Sequence, residues 1–200
     1  MANEKQTEQT LALFRSLVEQ RKWPTAVAGA EADATAGGET FMAMTTPHPY
    51  YFVSGDAVLA GRLSGAETLA GYQSLVFQGD LPVGAPIAAP AGEEMSYVAS
   101  WEAGAAEALN NALKVAEENG RDASDFAVMT VPEVGFSAVW LRDRHELIPM
   151  AITQTRSSLD PNRVYSEEEV IKLLHEPLNK RLSAPAEPAA DYGPARPPTG

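Results

Sequence analysis

The sequence predicts an α+β domain: an antiparallel β-sheet with helices packed on it, followed by a proline-rich C-terminal tail. Two observations carry this. Residues 126–155 form the longest apolar segment and read as three β-strands, with the charged turn Asp143-Arg144-His145-Glu146 between the second and third. The order along the chain is helix, strands, helix, strands, helix and tail, which suits helices layered on an antiparallel sheet better than alternating βαβ units. Two hundred residues, 44% of them hydrophobic, fit one domain over residues 1–182, leaving 183–200 as tail.

Residues Thr7–Lys22 have helical periodicity, with Leu11, Phe14, Leu17 and Val18 on one face, and Trp23-Pro24 closes the helix. That face is ordinary core packing or, in a sharper reading, a dimer contact. Thr25–Ala28 reads as a short strand, and Ala34–Gly38 as a loop tip. Thr40–Thr46 is a strand candidate, interrupted by Pro47-His48-Pro49 before the β-rich Tyr50–Val53. Ser54-Gly55-Asp56 is turn chemistry, so Ala57–Gly61 reads as the returning strand of a hairpin. Ser64-Gly65-Ala66-Glu67 has the form of a capping box and opens a helix through Leu75, although Gly71 weakens it. A strand over Tyr72–Phe77 competes, and both readings stay open. Three prolines make Gly79–Gly92 an irregular loop, or an edge strand near Val83–Ala88.

Ser100 is placed to cap a helix over Trp101–Glu118, with Ala105, Leu109, Ala112, Leu113 and Ala116 on one face and Asn119-Gly120 as the stop. After a loop over Ser157–Arg163, a second capping box at Ser166 opens a helix that turns Val170, Leu173 and Leu174 inward and ends at Pro177. The tail has too few large apolar groups to offset the entropy of ordering, and is expected to be extended or disordered.

Charge and composition bound the function. Acids outnumber bases 27 to 15, for a net charge of −12, which argues against nucleic acid as a partner because that binding rests on Lys and Arg. The N-terminus lacks the apolar core of a signal peptide. No run of 18 apolar residues predicts a membrane span, so no membrane insertion is expected. The absence of cysteine excludes thiol chemistry and Cys-based metal sites, and fits a cytoplasmic protein.

No phosphate-binding glycine loop, nucleophile elbow or helical zinc motif occurs, so neither cofactor nor metal is expected. Of three histidines, His175 suits the last turn of a helix, and His48 sits rigidly between two prolines, as an exposed turn or a binding-loop residue. His145, flanked by Asp143 and Glu146, is the candidate acid–base group, although neighbours in a turn point different ways and such turns also keep hairpins soluble. Tyr50, Tyr51, Phe52 and Trp140, with His48, are candidate binding residues, because aromatics concentrate where interfaces gain affinity. Alternation puts Phe136, Ala138 and Trp140 on one sheet face and Ser137, Val139 and Leu141 on the other. Both faces are thus mostly apolar: the sheet is covered twice, or one side is an interface.

These readings point to a non-enzymatic protein-binding or assembly protein, such as an acidic adaptor, chaperone, inhibitor or complex subunit, with a protein partner or self-association. The alternatives are a small hydrolase-like enzyme using His145 with the nearby carboxylates and His48, or a small-ligand binder with an apolar pocket over Tyr51, Phe52 and Trp140.

Overall fold

A computed structural model of the chain describes residues 4–19, 42–121, 126–151 and 159–183. The expected strand at Thr25–Ala28, the loop tip at Ala34–Gly38, the end of the 126–155 stretch, the first two residues of the Ser157–Arg163 loop and nearly all of the tail lie outside these residues. The α+β class holds: among the described residues, four α-helices pack with one sheet. The sheet is mixed rather than purely antiparallel.

The elements are α1 (Glu4–Glu19), β1 (Met42–Met44), β2 (His48–Val53), α2 (Gly55–Leu59), β3 (Glu67–Gln73), β4 (Val76–Gln78), β5 (Leu81–Ala91), β6 (Glu94–Trp101) and α3 (Ala103–Glu118). They continue with β7 (Phe126–Val131), β8 (Phe136–Leu141), β9 (Glu146–Pro149), β10 (Tyr165–Ser166) and α4 (Glu167–Leu182). The strand order is β1-β4-β5-β3-β2-β7-β8-β9-β10, with β6 on the remaining edge of β5. Strands β2 and β7 run parallel, while every other pair is antiparallel.

The three strands expected in 126–155 are β7, β8 and β9, and both of their faces are covered within the chain. Val128, Val139, Ile148 and Tyr50 pack under α3, while Met129, Ala138, Trp140 and Leu147 pack under α2 and α4. The apolar second face therefore has its cover. A third cluster joins Phe14 of α1 to Tyr72, Ala88 and Met95 of β3, β5 and β6.

Several local expectations give way to tertiary context. The hairpin after Val53 does not form. Ser54 caps a helix instead, its Oγ accepting the Ala57 N–H at 3.3 Å, and Glu133 Oε1 accepts the Gly55 N–H at 2.9 Å. The same serine suits a turn and a cap, because both satisfy amides two or three residues on. Val53 pairs with Glu67 of β3, so 67–73 is a strand and not the capped helix. The strand expected over Thr40–Thr46 is interrupted as anticipated, at 45–47, but the break is shorter: β2 begins at His48, and Pro49 lies opposite Tyr72, ahead of the first β2–β7 pair at Tyr50.

The segment with three prolines is an eleven-residue strand in the middle of the sheet. Pro86 is tolerated because its carbonyl accepts the Ser74 N–H at 3.2 Å. Its amide-free nitrogen points the same way, toward the gap between β3 and β4 rather than into the β6 ladder.

Trp101 is the last residue of β6, so α3 starts at Ala103 with Glu102 as its N-cap rather than Ser100. Its buried stripe is Ala106, Ala108, Leu109, Ala112, Val115 and Ala116, turned slightly from the expected face. The Ser166–Glu169 capping box is present, but α4 continues through Pro177. Burying Leu178 beneath α2 outweighs the lost hydrogen bond, and α4 turns Val170, Leu174 and Leu178 inward while Leu173 stays exposed.

Candidate functional site

A half-open cleft of about 820 Å³ lies where β2 begins, walled by α1, α3, the 45–47 segment and the turn after β8. His48 stands in it with its ring stacked on Phe126, centroids 3.8 Å apart. Burial disfavours the charged imidazole and lowers its pKa to about 4, so His48 is neutral near pH 7. The expectation of an exposed turn residue therefore fails.

Beside it, Arg142 lies over the rings of Tyr51 and Trp140 at 4.9 and 5.2 Å. It donates to the Tyr51 hydroxyl at 3.1 Å and pairs with Glu67. A guanidinium held by two rings and a carboxylate is pre-organised and partly exposed, and Lys114, Glu117 and Asp143 add charge of both signs to the walls.

The turn after β8 divides the residues proposed for acid–base work. A single 3₁₀ turn at Arg142–Arg144 ends on His145 with φ 55°, matching the Pro132–Val134 turn that ends on Gly135 at φ 61°. His145 takes the left-handed conformation that a glycine fills in the sister hairpin, and this turns its ring away from the cleft that Asp143 lines. Glu146 is held from the other side by Arg121 in a two-pronged pair at 2.8 and 2.9 Å.

The groups that meet His145 are Ser64 and Glu167, their Oγ and Oε1 lying 3.4 and 3.3 Å from Nδ1. A serine, a histidine and a glutamate together invite comparison with a hydrolytic triad. In a triad the hydroxyl donates to one imidazole nitrogen while the carboxylate holds the other. Here Ser64 Oγ donates to Glu167 Oε1 at 2.6 Å, and both crowd the same nitrogen. Glu167 Oε1 also accepts the indole N–H of fully buried Trp140 at 2.9 Å, and the Glu167 amide donates to the His145 carbonyl. The carboxylate thus reads as a staple joining α4 to the hairpin.

Strand alternation separates Tyr51 from Tyr50 and Phe52. Tyr51 lines the cleft with His48, and Trp140 lies beneath Tyr51, edge-to-face at 5.9 Å. Tyr50 and Phe52 point to the opposite face. Tyr50 donates to Thr130 at 3.3 Å within the α3 core, burial raising its pKa, and Phe52 packs on its edge while 42% exposed. The cavity expected over Tyr51, Phe52 and Trp140 together therefore cannot form around one lumen. Because α4 runs on to Leu182, His175 falls mid-helix and not in the last turn as expected, with Asn179 Nδ2 3.0 Å from its ring. Among the described residues, no three His, Asp or Glu side chains gather as a metal site, and no helix is long and apolar enough to cross a membrane.

Comparison with known proteins adds no assignment. No family model, curated protein or solved structure matches the chain.

Sequence reasoning missed Arg142, Ser64, Glu167 and the outer edge of β6. Arg142 was visible as the base preceding Asp143, but its stacking requires the parallel β2–β7 pairing that brings Tyr51 alongside. Strand β6 left a clearer mark: Met95 to Trp101 contains no charge and no proline.

Proposed function

We propose that the protein is a non-enzymatic binding or assembly protein that acts through contact with another protein, in the cytoplasm. The observation that carries this reading is the outer edge of β6. Among the described residues β6 pairs only with β5, and Ser96, Tyr97, Val98 and Ala99 are all exposed along it. An unpaired strand edge is a ready template for another chain, and natural proteins normally blunt such edges with charge or proline. The chemistry-bearing side chains support the same reading, since Glu146, Glu167 and Ser64 are engaged in structural pairs.

The test is photo-crosslinking from β6 (position 98), the cleft (position 51) and the outer face of α4 (position 173), combined with mass measurement in solution. A protein adduct from position 98 supports the reading. A lone monomer with no adduct at any position overturns it.

A second reading has an observation of its own. The cleft gathers neutral His48, Tyr51 and the fixed Arg142 in a volume suited to a small ligand. Saturable binding of a small molecule, lost on His48→Ala or Arg142→Ala, would favour it.

A further inference from the structure

From charge and edge geometry together, we infer that the β6 edge is a docking strand for an extended, positively charged peptide segment of a partner protein. This rests on the protein-binding reading above and names the partner's chemistry. Between Arg62 and Lys114 the chain has no basic residue, while it carries six acids: Glu67, Asp80, Glu93, Glu94, Glu102 and Glu107. That stretch contains β3, β4, β5, β6 and the first turns of α3, so the whole flank of the sheet ending in β6 is built without a cation. Glu67 is paired with Arg142, whereas Glu93, Glu94 and Glu102 bracket β6 at its two ends. Helix α1, which packs on Met95, brings Lys5 and Arg15 but also three glutamates.

The edge thus offers main-chain hydrogen bonds along an uncharged centre, an apolar anchor in Val98 at 59% exposure, and carboxylates at both ends. A segment with alternating apolar and Lys or Arg side chains would complement all three.

Two features disfavour a second copy of this chain. Val98 is an extra residue in the ladder: Ile87 pairs with Ala99 and Ala88 with Tyr97, so β6 bulges there. A bulge bends the edge, which resists rigid edge-to-edge pairing yet suits a flexible segment that orders as it binds. Two copies would also bring Glu93, Glu94 and Glu102 against like charges along an edge only about 26 Å long.

The test is titration of the full chain with a synthetic (Lys-Val)4 peptide amide, its (Glu-Val)4 counterpart, and a (Lys-Val)4 peptide N-methylated at alternate residues. The cationic peptide is expected to bind, more weakly as salt is raised. The acidic and N-methylated peptides should bind at least about 10-fold more weakly, since one meets like charge and the other cannot pair. Val98→Lys, at an exposed site, should weaken the cationic peptide by about 10-fold while leaving the circular dichroism and melting temperature unchanged. Equal binding of all three peptides, or undiminished binding to the Val98→Lys variant, overturns the proposal, as does no binding of the cationic peptide. In that last case a protein adduct from position 51 or 173 leaves the broader protein-binding reading standing, and no adduct anywhere removes both.

Discussion

Replacing Gly71 with alanine should be among the most destabilising single-methyl additions in this protein. Gly71 sits where β3 slips register against β2: Tyr50 lies opposite Gly71, and Tyr51 opposite Leu69. A Cβ built there meets the Ala88 carbonyl oxygen at 2.3 Å and the Ala88 carbonyl carbon at 3.1 Å. Both atoms are main chain of β5, held by β6 on its other side, so they cannot swing aside as a side-chain terminus would. The strand must shift or the bulge must open. Overpacking of this kind costs about 3 kcal/mol, a large share of the ~5–15 kcal/mol that holds an ordinary domain folded. At roughly 2–4 °C per kcal/mol for a chain of this size, the melting midpoint should fall by about 6–12 °C.

Gly104→Ala is the matched control, because nothing lies within 4 Å of its added Cβ and it sits in the first turn of α3. It should be neutral or stabilising by about 0.5–1 kcal/mol. Urea unfolding of both variants decides the matter. A Gly71→Ala protein within about 0.5 kcal/mol of wild type would refute the close approach of β3 to β5 as described.

Two further outcomes follow from the buried polar groups. Burial holds the His48 pKa near 4 against 6.5 in the unfolded chain, so as pH falls below 6.5 the unfolded state takes up a proton that the folded state refuses. Stability should drop between pH 6.5 and 4, by at most about 3 kcal/mol from this group. His48→Phe, which keeps a ring against Phe126, should flatten that part of the urea-stability profile; an unchanged slope would contradict it. Glu167→Ala should cost about 2–3 kcal/mol, because Trp140 is fully buried and its indole N–H would lose its acceptor. Unfolding followed by the Trp140 near-UV signal reads this, and a loss below about 0.5 kcal/mol would argue against the staple.

The parts of the fold legible in the sequence are those where one local signal has one outcome. Alternation in Phe126–Val131 and Phe136–Leu141 gives the strands and their two apolar faces, and the Ser166–Glu169 box gives the start of α4. Elsewhere a local signal serves two structures. Ser54 suits a turn or a cap, and the choice fell to Val58 and Leu178, whose burial requires α2 against α4. Gly71 counted against a helix, correctly, but its positive role is close strand approach, which only the β5 backbone reveals. Pro86 signalled a loop because the signal cannot show that Ser74 stands where a gap in pairing lets its nitrogen go unbonded.

The candidate site was legible only in part. His48 and Tyr51 do share the cleft, whereas Tyr50 and Phe52 pack on each other on the α3 side of the sheet, outside it. The partners of His145 lie 81 residues earlier and 22 later in the chain, at Ser64 and Glu167, and proximity in a turn gave no hint of either.

Hydrogen–deuterium exchange of the full chain, with and without the (Lys-Val)4 peptide, tests the central claim most directly. Docking on the outer edge of β6 predicts new protection confined to residues 94–101, with the amides of 45–51 around the cleft unchanged. Protection at 45–51, or none along 94–101 when the peptide is bound, would contradict it.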